Sequence, residues 1–309
     1  MDAEREPLVT IIGLSYNHAP YIKAALISLF NQSYSNIEII LVDDASTDGS
    51  AAIIQELIQG KNIVFIQNHI NQGNCISFNS ALKIAKGKYI VDFALDDILY
   101  PDRIKKQVNV LEAAADNVGV VFTNVDIMDK KGNLLQTHYP AYYHPLHRTA
   151  IPEGEVFEAV LSRYYINPVS MLARRTVFDK LNGYDEQLAY EDFDFWIRSS
   201  RLFNYVYLPE ILSAKRLTPD SLSGLFYKKN QERMFASTLV VCKKAWWLCS
   251  TESEKKALVV RCRYETRQAL NYGYGKIVKE YLTVLKEVDP YYYLYAPVAW
   301  VLLSVKKYI

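Results

Sequence analysis

Short apolar runs alternate with amphipathic stretches through the first half of the chain. Residues 8–16, 37–44, 62–67 and 88–93 are rich in Ile, Val and Phe, as strands buried on both faces are. Between them, 20–31, 50–59 and 74–85 carry apolar residues at i, i+3 and i+4, which is one face of a helix. This alternation predicts βαβ units and a mostly parallel sheet. Past Pro101, a helix over 102–114 leads to a strand over 119–126, and Asp129 to Asn133 reads as a hairpin turn. The stretch 138–152, rich in Tyr, His and Pro, reads as a loop. Helix is predicted over 153–164, strand over 168–173, helix over 191–202 and strand over 206–215. From about 226 to 307 the pattern is helical throughout. The expected organisation is an α/β domain over 1–223 and a helical C-terminal extension over 224–309.

Composition narrows the class without choosing it. Half of the 309 residues are hydrophobic and 22% are charged, enough to bury an ordinary core. A formal net charge of +1 gives no global field favouring nucleic acid. Cys75, Cys242, Cys249 and Cys262 form no CxxC pair, so reduced thiols in a cytoplasmic protein are expected. The acidic, polar start lacks the basic-then-apolar layout of a secretory signal. The longest apolar run, 291–305, is broken by Pro297 and is shorter than the roughly 18–20 residues needed to span a bilayer.

Candidate chemistry gathers in four places. Val42-Asp43-Asp44-Ala45-Ser46-Thr47-Asp48-Gly49 falls at the end of the second strand, where open α/β sheets bind ligands. A carboxylate there can accept hydrogen bonds from a base N–H or a ribose hydroxyl, while Ser46 or Thr47 can cap the next helix. Asp96 and Asp97 follow the fourth strand and suit a hard divalent cation with oxygen ligands, or a helix cap. Tyr190-Glu191-Asp192-Phe193-Asp194-Phe195-Trp196 opens a predicted helix. Its acids fit the positive end of the helix dipole, and its rings and carboxylates equally describe a sugar-binding floor with a base beside it. The turn from Lys215-Arg216 to Ser221 is cationic, either solvated or in reach of a diphosphate.

The order of these motifs carries more than any one of them. Ile11-Ile12-Gly13-Leu14-Ser15-Tyr16-Asn17, the Val42 to Asp48 run, Asn71-Gln72-Gly73, Asp96-Asp97 and Glu191-Asp192 together resemble a family 2 glycosyltransferase over roughly 8–223. The resemblance implies the GT-A type nucleotide-diphospho-sugar transferase fold and an inverting transfer from a nucleotide sugar, with UDP the expected nucleotide. It implies a glycan or lipid-linked acceptor, as in cell-surface polysaccharide synthesis, and a divalent cation, Mg2+ or Mn2+. By the same resemblance Ser15, Tyr16, Asn17, Asp44, Asn71 and Gly73 hold the nucleotide, and Asp96, with Asp97 nearby, holds the metal. Arg216 meets the diphosphate, Asp192 is the base, and Glu191 and Trp196 line the sugar and acceptor pocket. This chain departs from the family pattern at Gly13, where many members carry proline. It also has Ala94 in place of the first Asp of an Asp-x-Asp, and Thr218 in place of a histidine.

Those departures keep open a second reading, a non-catalytic nucleotide-sugar-binding protein of the same fold. A nicotinamide dehydrogenase or a nucleotidyltransferase would want a glycine-rich loop after the first strand, and only Gly13 stands there. His144 and His147 are too few for zinc, and His18, at the strand end where it could touch a phosphate, reads first as a helix cap or a solvent contact. Trp246, Trp247, Trp300, Tyr291-Tyr292-Tyr293 and Tyr295 lie among Lys243, Lys244, Lys306 and Lys307. That mixture suits either peripheral binding at the inner face of a membrane or packing onto the first domain or a second copy of the chain.

Overall fold

The computed structural model describes residues 6–140, 151–218 and 231–297, together with Ser221 and Gly224. His144, His147, Pro219, Asp220, Trp300, Lys306 and Lys307 lie outside the described residues. Strands run in chain order as β1 (Val9–Ser15), β2 (Ile37–Asp43), β3 (Val64–Gln67), β4 (Tyr89–Ala94), β5 (Ile98–Leu99), β6 (Val118–Met128), β7 (Leu134–Thr137), β8 (Leu172–Arg174) and β9 (Asn204–Arg216). The helices are α1 (Ala19–Phe30), α2 (Ser50–Leu57), α3 (Asn74–Leu82), α4 (Arg103–Ala113), α5 (Phe157–Ser162), α6 (Arg175–Leu181), α7 (Asp192–Ser199), α8 (Glu232–Leu248), α9 (Glu252–Asn271) and α10 (Gly275–Val288).

Two compact units emerge. The first takes in Met1–Glu155, Ile166–Gln187 and Leu202–Thr218 and holds one sheet of order β3-β2-β1-β4-β8-β6-β9-β5, with β7 beside β6. The strands β3, β2, β1 and β4 are parallel, as the strand–helix alternation predicts. Beyond β4 the sheet is mixed. The three-residue β8 runs antiparallel to both β4 and β6, while β6 and β9 are parallel. A turn of 3₁₀ helix, Pro168–Ser170, occupies half of the predicted strand at 168–173. The register pairs Ser15 with Asp43 and Leu14 with Ala94, so the carboxyl ends of β1, β2 and β4 finish level. That alignment delivers three acidic or polar loops to one edge of the sheet.

The core of this unit follows from local pattern. Ile22, Ala25, Leu26 and Leu29 share one face of α1 and are buried with Ile11, Leu41, Val91 and Phe93 of the sheet. Each large side chain so buried contributes roughly 1.5–3 kcal/mol. Pro20 in the first turn of α1 forfeits an N–H that had no helical partner. At Gly13 an added Cβ would come within 2.6 Å of a Leu41 methyl, so glycine makes room for a bulky residue on the next strand.

The second unit is helical and takes in Val156–Tyr165, Leu188–Arg201 and Pro219–Ile309. It therefore holds α5 and α7 as well as the C-terminal helices α8, α9 and α10. Apolar burial explains the grouping: Phe157, Val160 and Leu161 of α5 and Phe193, Phe195 and Ile197 of α7 are all interior. Arg261 of α9 donates from Nε to the Leu161 carbonyl at 3.2 Å and pairs with the buried Glu265 at 3.1 Å. The start of α9 is fixed by a reciprocal cap, with Glu254 N–H donating to Thr251 Oγ1 and Thr251 N–H to Glu254 Oε2. All four cysteines are free thiols. Among the described residues no helix is long and apolar enough to cross a membrane.

Candidate functional site

The loops after β1 and β2 are knitted together by side chains. Asn17 sits in the left-handed region at φ 57°, donates its N–H to Ser46 Oγ at 2.9 Å and accepts the Thr47 N–H at Oδ1. Asp43 accepts the N–H and the hydroxyl of Ser46 at 3.0 and 2.6 Å. Asp48 accepts the Ala19 N–H and both the N–H and the hydroxyl of Ser50. These are donors that the starts of α1 and α2 cannot use internally. Asp48 thus serves the start of α2, where sequence suggests Ser46 or Thr47, and Gly49 at φ 90° is the boundary residue. Burial works to raise the Asp48 pKa, but the Ser50 hydroxyl and the backbone donors prevail and hold it below the ordinary carboxylate value.

Asp44 organises a third loop. Its Oδ1 accepts Asn68 Nδ2 at 2.8 Å and the Gln72 N–H at 3.0 Å, and its Oδ2 accepts the Gly73 N–H at 2.8 Å. Asn71 Oδ1 shares the Gly73 N–H at 3.1 Å. Gly73 adopts φ 88° just before α3, a conformation that costs glycine little. Asp44, Asn71 and Gly73, dispersed in sequence, therefore form one cluster. Beside it the Asp44 N–H donates to the Ser15 carbonyl at 2.8 Å, and Ser15 Oγ is buried with no hydrogen-bond partner. Tyr16 is 48% exposed, so a ring face is presented next to this polar cluster. Asn68, which bridges Asp44 and Ser77 Oγ, escapes sequence inspection because a lone Asn after a strand carries no distinctive pattern.

At the end of β4 two adjacent carboxylates have opposite environments. Asp97 is fully buried and accepts the Arg216 N–H of β9 at 2.7 Å. Burial and the Asp96 charge push its pKa well above the usual carboxylate range, against the pull of Lys215 and Arg216. One of the two Asp97 oxygens is thus tied to β9, a constraint that the adjacent Asp96 carboxylate lacks among the described residues. Arg216 is also buried. It donates from Nε to the Asp96 carbonyl at 2.9 Å and from Nη1 to the carbonyls of Asp129 and Lys130, and its guanidinium lies 4.8 Å from the Tyr21 ring centre. It braces the loops, and only Nη2 is without a protein acceptor among the described residues.

Asp96 is different. It is 7% exposed, yet among the described residues no donor reaches its carboxylate, and His18 Nε2 lies 3.9 Å from its Oδ2. With 10% of its side chain exposed, this carboxylate remains open to a cation that offers it oxygen coordination. Asp43, Asp44, Asp48 and Asp97 all accept protein donors, which leaves Asp96 as the carboxylate most open to a divalent ion. Among the described residues no cluster of three or more His, Cys, Asp or Glu is arranged around a metal position. Any ion there would draw its remaining ligands from a bound diphosphate and water.

In the helical unit, Glu191 is the boundary residue before α7, without a side-chain capping bond, and Asp192 is the first residue of the helix. Both are half-buried. Asp194 is 1% exposed and accepts Lys244 Nζ and Arg198 Nε, each at 2.6 Å. Tyr190 joins the hydroxyls of Thr238 and Tyr164 at 2.7 and 3.2 Å, and the Ala189 N–H donates to Ser237 Oγ. The start of α7 is therefore held on both flanks. Trp196 is 3% exposed, its ring centre 5.8 Å from that of Tyr164. It packs in the interior of the unit and offers no open face to a sugar, contrary to the sequence expectation. The reason is its place on α7: Phe193, Trp196 and Ile197 occupy the face that the other helices cover.

A parallel half-sheet with polar loops along its carboxyl edge, continued by a mixed half, is the architecture of a GT-A type glycosyltransferase. The chain belongs to glycosyl transferase family 2, whose family model matches residues 10–180, more than half of its length. Among curated relatives it is 30% identical over 212 residues to an uncharacterized glycosyltransferase of Rickettsia prowazekii, covering 68% of this chain and 64% of that one. An uncharacterized glycosyltransferase of Methanocaldococcus jannaschii is 33% identical over 197 residues, covering 62% and 64%. The chain thus spans a little under two thirds of these relatives. Among solved structures, S. aureus TarS 1-349 in complex with UDP superposes with a TM-score of 0.68 at 16% identity, covering 94% of this chain and 87% of TarS 1-349. The mannosyltransferase PcManGT from Pyrobaculum calidifontis, in complex with GDP-Man and Mn2+, gives 0.61 at 17% identity, covering 97% and 81%. At such identities the likeness carries the fold.

Proposed function

We propose that this protein transfers a sugar from a nucleotide diphosphate sugar to a hydroxyl of a glycan or lipid-linked acceptor, with inversion at the anomeric carbon. The observation that carries the reading is the carboxyl edge of β1, β2 and β4. Asp44, Asn71 and Gly73 cluster there beside a Ser15 hydroxyl that has no partner among the described residues, and no donor among the described residues meets the Asp96 carboxylate. The exposed Tyr16 ring suits stacking on a base, and Ser15 Oγ suits a hydrogen bond to the nucleoside. UDP, which the TarS structure holds, is the expected nucleotide, with GDP, the nucleotide of the sugar bound by PcManGT, as the alternative.

Asp96 would hold a divalent cation, Mg2+ or Mn2+, which when bound neutralises charge on the departing diphosphate. Arg216, through the remaining Nη2, is the candidate cationic contact to that diphosphate. In the helical unit Asp192 is the proposed base, taking the proton of the acceptor hydroxyl as it attacks, and Glu191 orients that hydroxyl. Action in the cytoplasm, in polysaccharide synthesis, belongs to the same reading.

The test is Asp192→Asn, which preserves shape but cannot accept a proton near neutral pH. Transfer should fall about 10²–10⁴-fold with donor affinity barely changed, because the lost interaction belongs to the transition state. A folded Asp192→Asn protein that transfers sugar at the wild-type rate ends the assignment. A wild-type chain that binds nucleotide sugar but transfers nothing favours the non-catalytic alternative.

A further inference from the structure

Among the described residues, no hydrogen-bond partner engages the side chain of His18. Its backbone N–H donates to Ser50 Oγ at 3.0 Å, which anchors the residue at the start of α1 whatever the side chain. The imidazole makes no hydrogen bond among the described residues. Its Nδ1 is buried without a partner, and its Nε2 stands 3.9 Å from Asp96 Oδ2. An imidazolium donating to a carboxylate would close to about 2.7–2.9 Å. The observed gap is too long for that bond and has another natural occupant. With metal–ligand distances of about 2.0–2.2 Å, two donors on one small ion stand roughly 3–4 Å apart, depending on the angle between them. A cation between Nε2 and Oδ2 meets the bare carboxylate and uses the nitrogen lone pair together.

We infer that His18 is the second protein ligand of the cation at Asp96, and that it sets which cation the protein uses. The inference rests on the reading of Asp96 given above and extends it. Mg2+ favours oxygen ligands and gives up water reluctantly. Imidazole nitrogen favours first-row transition ions, with affinity rising from Mn2+ towards Co2+. His18 therefore adds little for Mg2+ and much for Mn2+ and Co2+, so the protein discriminates in favour of the transition ions. Without His18 the seat is one carboxylate, and the preference disappears.

Calorimetric titration of UDP and of GDP into the full chain, with Mn2+, Co2+ or Mg2+ present, tests this on wild type, His18→Asn and Asp96→Asn. Wild type should bind the better diphosphate at least about tenfold more tightly with Mn2+ or Co2+ than with Mg2+. His18→Asn should lower the Mn2+- and Co2+-supported affinities by about 10–100-fold, the scale of disturbed metal sites, and leave the Mg2+-supported affinity unchanged. Asp96→Asn should lose metal support altogether. Pulsed electron paramagnetic resonance of bound Mn2+ should show a nitrogen coupling in wild type that vanishes in His18→Asn. Since the imidazole makes no hydrogen bond among the described residues and Asn is a good helix cap, the metal-free melting temperature of His18→Asn should match wild type. Unchanged Mn2+ preference and nitrogen coupling in His18→Asn, with Asp96 still required, would overturn the role of His18 alone. Diphosphate affinity indifferent to every ion, or to Asp96, would overturn the Asp96 reading and this inference with it.

Discussion

Replacing Asp44 by alanine should open the loop between β3 and α3. The carboxylate accepts three bonds, from Asn68 Nδ2, Gln72 N–H and Gly73 N–H, at 2.8, 3.0 and 2.8 Å. Hydrogen bonds to a charged group are worth about 1.5–3 kcal/mol each, a gross figure of about 4.5–9 kcal/mol. The net loss is smaller. Gln72 is exposed and Gly73 half-buried, so their freed N–H groups turn to water, and Asn68 keeps its bond to Ser77 Oγ at 3.0 Å. Taking the low end for Asn68 and half of it for each backbone donor leaves about 3 kcal/mol. Tryptophan fluorescence would miss the change, because all four tryptophans fall in segments of the helical unit. Native-state hydrogen exchange of the Gln72 and Gly73 amides reads it directly. At about 1.4 kcal/mol per decade, exchange should accelerate on the order of 100-fold in Asp44→Ala. Asp44→Asn, able to keep the two bonds at Oδ1, should show a smaller acceleration. Acceleration below tenfold in Asp44→Ala would refute the claim that this carboxylate anchors the loop.

Three further outcomes follow from single side chains. Ala45 holds φ 62°, a region that costs an L-residue about 1–2 kcal/mol, so Ala45→Gly should gain about 0.5–1 kcal/mol after the entropy cost of glycine; a lower melting temperature would contradict this. Asp194→Asn weakens a buried carboxylate shared by Lys244 and Arg198 and should cost about 3–5 kcal/mol, read by tryptophan fluorescence in urea, with a loss under about 1 kcal/mol counting against it. The depressed pKa of Asp48 contributes stability that is complete above the unfolded carboxylate value and is lost as pH falls through the folded one. The stability gap between wild type and Asp48→Asn should therefore be present at about pH 7 and shrink towards about pH 3; a gap independent of pH would show that the charge is not what matters.

Much of the first unit is legible in the sequence because its signals are local. Apolar period separates β1 to β4 from α1 to α4, and carboxylates at strand ends fall where such sheets bind ligands. Shorter elements carry too little pattern: β5 has two residues, and α6 is seven residues following directly on the three-residue β8, too short for a helical period to show. The loop residues Asp44, Asn71 and Gly73 are recognisable from motif order, whereas Asn68 is not.

Which residues share a compact unit, and which carboxylate is spoken for, are decided by partners distant along the chain. Asp96 and Asp97 are chemically identical neighbours, and they are told apart by the Arg216 N–H, 119 residues on, which binds Asp97 and leaves the Asp96 carboxylate without a donor. Trp196 looks like a sugar platform until the helices around α7 bury it. His18 does sit at the N-terminal boundary of α1, but only strand register brings its loop and that of Asp96 to the same edge of the sheet. The sequence by itself determines the kind of element and the chemical groups each loop carries, because hydrophobic period and residue identity are local properties. Only the tertiary structure decides which of those groups remain unpaired, because a hydrogen-bond partner or a covering side chain can come from any part of the chain.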